Sequence, residues 1–160
     1  MYILKYNFIH QLFEYDDLAA KTDAATEQFH TLAGDIQQTE AELSRVSDLM
    51  AAVVQYAKTR PAFDGYKAAK YSRKYLAEHE AELADYRAAK ATMAELLGGE
   101  KLPKMDVLKE KRRQLAARKK ALYLEYRKAQ QDMRELVAVK GSVDHLRGLT
   151  DNQRNKEQAR

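Results

Sequence analysis

Apolar and small residues recur along the first third of the chain at alternating spacings of four and three: Leu18, Thr22, Ala25, Phe29, Leu32, Ile36, Thr39, Leu43, Val46, Met50, Val53 and Ala57. That period, close to 3.5, is the seam of a coiled coil. A second seam follows as Leu108, Leu115, Leu122, Tyr126, Ala129, Met133, Leu136 and Val143. The pattern therefore predicts two long helices, over residues 16–59 and 104–147, the second of them roughly 65 Å long at 1.5 Å per residue. Between them Leu76, Leu83, Ala84, Tyr86, Ala91, Met93, Leu96 and Leu97 predict a shorter helix over residues 72–97. The fold class expected is all-α: a long antiparallel coiled-coil hairpin with a third helix packed along it, bundle-like.

The breaks are legible as backbone chemistry. Thr59-Arg60-Pro61 predicts a stop, since proline has no N–H to donate. Gly65 is expected to interrupt a short helical piece, and Ser72 to cap the next helix. Gly98-Gly99 predicts a helix end, and Pro103 suits the first turn of the last helix. Gly141-Ser142 is expected to bend or fray that helix. Residues 1–15, with Ile3, Leu4, Phe8, Ile9, Leu12 and Phe13, read as a separate short amphipathic helix. Asp16 or Asp17 would cap the long helix that follows it. Residues 148–160 are polar, lack periodicity and are expected to be disordered. The domain reading is thus 1–15, 16–147 and 148–160.

Charge separates the two seams. On the first, Asp16, Asp17, Asp23, Glu27, Asp35, Glu40, Glu42 and Asp48 oppose only Lys21 and Arg45, whereas the second is rich in Lys and Arg. Antiparallel pairing of an acidic with a basic helix is expected, and this reading sets residues 109–120 beside the acidic beginning of the first helix. It sets residues 60–74 beside residues 136–146. The formal net charge is +4 and there is no cysteine, so neither a disulfide framework nor thiolate chemistry is expected. The opening ten residues have no basic start or cleavage site, so no signal peptide, membrane span or membrane partner is expected, and the location expected is cytoplasmic.

Catalytic chemistry finds no footing. The four histidines are scattered, with no metal-ligand spacing among them. Glu78, Glu80 and Glu82 beside His79 read as a solvated acidic face, because alternate helical residues do not face one another. Gly98-Gly99 lacks the lysine and hydroxyl of a phosphate loop. No catalytic residue, metal or cofactor is expected, and no enzyme.

One stretch stands apart. Residues 56–75 hold six basic and five aromatic residues with a single acid, Asp64. Lysines and arginines neutralise phosphates and exposed rings stack on bases, so this composition points to nucleic acid. The residues singled out are Lys58, Arg60, Tyr66, Lys67, Lys70, Tyr71, Arg73, Lys74 and Tyr75, with a second basic surface at Arg112, Arg113, Lys119 and Lys120. Basic residues at a helix start run against the macrodipole preference, as Arg73 and Lys74 do.

Tyr56-Ala57-Lys58-Thr59-Arg60-Pro61, and Gly65-Tyr66-Lys67-Ala68-Ala69-Lys70-Tyr71-Ser72-Arg73-Lys74-Tyr75 running on to Ala81, carry a resemblance. It continues through Lys101-Leu102-Pro103-Lys104-Met105, Ala121-Leu122-Tyr123-Leu124-Glu125-Tyr126-Arg127 and Asp132-Met133-Arg134-Glu135-Leu136. Over about residues 12–147 the chain resembles the C-terminal helical region of the relaxase/mobilization nucleases of Firmicutes integrative and conjugative elements. Such relaxases nick one strand with a tyrosine and a histidine-bound metal in an N-terminal nuclease domain. No paired-histidine strand is present here, so the ten tyrosines inherit no catalytic role. The resemblance implies a non-catalytic accessory domain whose partners are DNA and mobilisation or secretion-coupling proteins. The alternative is a structural coiled-coil spacer or homodimerisation module that touches no nucleic acid.

Overall fold

The computed structural model describes the backbone of residues 2–159 and the side chains of residues 14–159. It is all-α, with no strand among the described residues: α1 (Tyr2–Ala68), α2 (Arg73–Glu78), α3 (Glu80–Leu97) and α4 (Met105–Gln158). The chain divides into two compact units, Met1–Gln37 with Lys120–Arg160, and Gln38–Lys119.

In the Gln38–Lys119 unit, α3 doubles back along α1. Tyr86 of α3 stacks on Phe63 (4.4 Å between centroids, 10° between planes) and on Tyr56 (5.1 Å, 26°). Further along, Arg45 Nε donates to the Leu96 carbonyl at 3.1 Å, occupying one of the acceptors that a helix end leaves open. The Tyr86 phenol is buried, and its pKa is raised, first by a hydrogen bond with the Tyr56 side chain and then by desolvation. The first turns of α4 close the bundle. Leu108 and Leu115 join Val46, Leu49 and Met50 in one core cluster, with Met93, Leu96 and Leu97 of α3 packed against it. Each large side chain fully buried there contributes about 1.5–3 kcal/mol. Gly98, in the left-handed region at φ 55°, ends α3 and donates to the Ala94 carbonyl at 3.1 Å, as its sequence position predicts.

In the other unit the seam is thinner. Thr22, Leu32 and Ile36 of α1 and Ala129 of α4 are buried, and Phe29 stacks on Tyr126 at 4.9 Å. Tyr15 donates its hydroxyl to Asp144 Oδ1 at 2.5 Å, while the Arg147 guanidinium lies 3.8 Å over the Tyr15 ring. Lys140 Nζ bonds the other oxygen of Asp144 at 3.0 Å. In both units α1 and α4 run antiparallel.

Several expectations are corrected. No break separates residues 1–15 from the first long helix: α1 passes through Asp16 and Asp17. Asp17 is tied to Lys21 at 2.9 Å instead of capping, and an interior aspartate costs only about 0.7 kcal/mol in propensity. The apolar face from Ile3 to Phe13 lies outside the described side chains. Pro61 does not stop α1 but lies inside it. The missing hydrogen bond, part of a penalty of about 3 kcal/mol, is outweighed where Ala62 is buried and Phe63 stacks on Tyr86. Residues 72–97 form two helices, not one, parted at His79 (φ −122°, ψ 25°). α4 continues through Gly141 and Gly148 to Gln158, past the expected tail boundary. Isolated glycines cost a helix only about 1 kcal/mol each, and no proline follows.

The register also differs from expectation. Lys119 meets Glu40 at 3.3 Å, not the acidic beginning of α1. Leu136 lines a groove with Lys21 and Ala25, and Asp144 meets Tyr15, so residues 136–146 belong with the start of α1. α3 accounts for this. It packs on Tyr56 and Phe63 of α1 through Tyr86, while α4 joins the core at Val46, Leu49 and Met50.

Candidate nucleic-acid interface

The turn that ends α1 is closed by two backbone bonds. Tyr71 N–H donates to the Tyr66 carbonyl at 3.0 Å and Lys70 N–H to the Lys67 carbonyl at 2.9 Å. This is the Schellman arrangement, in which glycine normally takes the left-handed position. Here Lys70 takes it at φ 55°, and Tyr71 follows at φ 62°. A left-handed residue with a Cβ costs roughly 1–2 kcal/mol. The apolar contact that accompanies the motif is present as well: the Tyr66 and Tyr71 rings meet edge to face at 5.2 Å.

Gly65 has a packing role instead of a breaking one. Tyr75 of α2 lies over it and donates its hydroxyl to the Ala62 carbonyl at 3.0 Å. A Cβ on Gly65 would fall on that hydroxyl and 2.9 Å from the Tyr75 Cζ. Tyr75 also stacks on Tyr66 (6.1 Å) and leans on His79 (4.2 Å). Ser72 stands at the N-cap position of α2 but makes no side-chain cap bond there.

These contacts sort the singled-out residues. Tyr66 and Tyr75 are half-buried and build the corner, while Tyr71 is 58% exposed and leaves ring surface to solvent. Lys58, Lys70, Arg73 and Lys74 are exposed and make no ion pair with any described residue. Lys67 lies 5.1 Å over the Phe63 ring, at the C-terminal end of α1 where the helix dipole favours a cation. Arg60 stands 3.8 Å from Asp64, both largely in solvent.

The second surface is more nearly neutralised. Arg113 binds both oxygens of Glu110, at 3.0 and 2.8 Å, which raises the arginine's pKa and lowers the glutamate's. Lys119 is half-buried at a seam position against Glu40, leaving Arg112 and Lys120 exposed. Three or more metal-ligating side chains gather nowhere among the described residues, and no helix there is long and apolar enough to cross a membrane.

Sequence reasoning missed the Schellman turn because its left-handed position carries no glycine. The five-residue spacing of Tyr66 and Tyr71, which matches the motif's apolar contact, is the signal that was there to find. Compared with protein-family models, curated proteins and solved structures, the chain matches none of them.

Proposed function

We propose that this chain is a non-catalytic helical accessory region of a DNA-mobilisation relaxase, and that the corner between α1 and α2 binds DNA. The observation that carries the reading is the set of exposed cations without ion partners, Lys58, Lys70, Arg73 and Lys74, with Tyr71 open to solvent among them. Binding of this kind is electrostatic and tolerant of sequence: cations displace counterions from phosphates, and a ring stacks on any exposed base. Selection of a DNA sequence would then belong to the nuclease domain of such a relaxase, with mobilisation or secretion-coupling proteins as further partners. The second surface, at Arg112, Arg113, Lys119 and Lys120, contributes less, because Glu110 and Glu40 already hold two of its cations.

Fluorescence anisotropy with a labelled oligonucleotide at low and high salt tests this. Joint replacement of Lys67, Lys70, Arg73 and Lys74 by Glu is expected to weaken binding strongly and to flatten the salt slope by about 0.9 for each duplex phosphate left without its cation. The same exchange at Arg112, Arg113, Lys119 and Lys120 is expected to weaken it less. Equal weakening at both surfaces would refute the ranking. Failure of the unaltered chain to bind at low salt would refute the reading and leave the coiled-coil dimerisation alternative, which an apolar groove between Lys21 and Val139 favours.

A further inference from the structure

The Met1–Gln37 and Lys120–Arg160 unit pairs only two helical segments, and one side of that pair is an open groove of about 530 Å³. Its α1 wall presents Lys21, Ala24 and Gln28, and its α4 wall Asp132, Glu135 and Val139. Val139 is 52% exposed, and Leu146, one heptad further along α4, is 62% exposed. A seam of two helices that leaves apolar heptad positions in water is suited to another helical pair.

The charges say which pair. Across residues 14–37 Lys21 is the only lysine or arginine, among Glu14, Asp16, Asp17, Asp23, Glu27 and Asp35. Across residues 120–140 five cations, Lys120, Arg127, Lys128, Arg134 and Lys140, outnumber Glu125, Asp132 and Glu135. The groove gathers the one cation of the acidic segment and two of the three acids of the basic one. The α4 wall is therefore acidic on a basic helix, and the α1 wall carries the one cation of an acidic helix. Lys21 and the two acids line the same groove, yet Lys21 pairs with Asp17 of its own helix and with neither acid.

We infer that this groove is the homodimer interface of the chain, closed by the same groove of a second copy about a twofold axis parallel to the helices. Such an axis sets α1 of one copy antiparallel to α4 of the other at one level. Lys21 of each copy then meets Asp132 and Glu135 of its mate. The interface is isologous, the same patch serving both sides. An unrelated acidic or basic helix would find its match on one wall and like charge on the other. The inference does not rest on the nucleic-acid reading, since none of these residues belongs to the corner.

Sedimentation equilibrium of the full chain tests it with two variants, Lys21→Glu and the double exchange Asp132→Lys with Glu135→Lys, circular dichroism first showing unchanged helix content. The unaltered chain is expected at twice its 18.4 kDa mass, and each variant alone at the single-chain mass. Mixed in equal amounts, the two variants are expected to return to the two-chain mass. In the mixed pair the carboxylate introduced at position 21 faces the introduced lysines, and the native Lys21 of the other copy faces native acids. The like charges inside each variant chain persist in that mixture, so recovery reports contacts between chains. A single-chain mass for the unaltered protein, a dimer indifferent to both exchanges, or a mixture that stays monomeric would each overturn the interface.

Discussion

Replacing Gly65 by alanine sets a gain in helix propensity against a steric conflict, and the structure indicates which prevails. Gly65 lies within α1, where exchange of glycine for alanine stabilises by about 0.8–1 kcal/mol in an unhindered site. Here the added methyl carbon meets the Tyr75 hydroxyl and comes within 2.9 Å of Cζ and 3.4 Å of Cε2. The ring is not free to swing aside. Its hydroxyl is held by the Ala62 carbonyl at 3.0 Å, and its face lies against His79 at 4.2 Å. Moving it forfeits the hydrogen bond, about 0.5–1.5 kcal/mol, and adds overpacking strain of about 1–3 kcal/mol. The net expectation is a loss of about 0.5–3.5 kcal/mol, a fall in Tm of roughly 1–14 °C for a chain of this size. Thermal melts followed by circular dichroism give the magnitude, and amide hydrogen exchange at Leu76 and His79 locates it. Tyr75→Phe removes the atom in worst conflict, so the double variant is expected to lose less than the sum of the two single losses. A Gly65→Ala protein as stable as the parent, or strictly additive losses, would refute the account of the corner.

Two further outcomes follow from the same geometry. Lys70→Gly relieves the left-handed backbone at φ 55° and is expected to raise stability by about 1 kcal/mol in denaturant titration, while weakening DNA binding through the missing charge; destabilisation would contradict the Schellman assignment. Asp144 has its carboxyl pKa lowered, first by the Tyr15 hydroxyl and then by Lys140. Its contribution to stability is therefore present above the usual carboxylate pKa of about 3.9 and lost as pH falls through the lower folded value. Tyr15→Phe is expected to move the Asp144 titration, followed by carboxyl NMR, up toward the ordinary range, and an unmoved titration would contradict the hydrogen bond.

The heptad spacing and the glycine pair were enough to establish the fold class and much of the burial pattern. Leu108, Leu115, Ala129, Leu32 and Ile36 are buried where the seams put them, and Gly98 ends α3 in the left-handed region that few other residues adopt without strain. These features depend on neighbours three to seven residues away, which the chain spells out directly. Three other features were decided by tertiary contacts. A heptad seam looks the same after a slide of seven residues, so the pattern carries no register. Register comes from unique contacts far apart in sequence, Tyr15 with Asp144, Phe29 with Tyr126 and Glu40 with Lys119. Pro61 and Asp16-Asp17 read as boundaries because local propensity disfavours them inside a helix, yet the proline's penalty of about 3 kcal/mol yields where Ala62 is buried and Phe63 stacks on Tyr86, and each aspartate costs only about 0.7 kcal/mol. At the corner, composition marked a basic and aromatic stretch without ranking its tyrosines. Tyr66, Tyr71 and Tyr75 have the same chemistry, and only the turn at Lys70, which places Tyr75 over Gly65 and turns Tyr71 outward, decides which ring faces water.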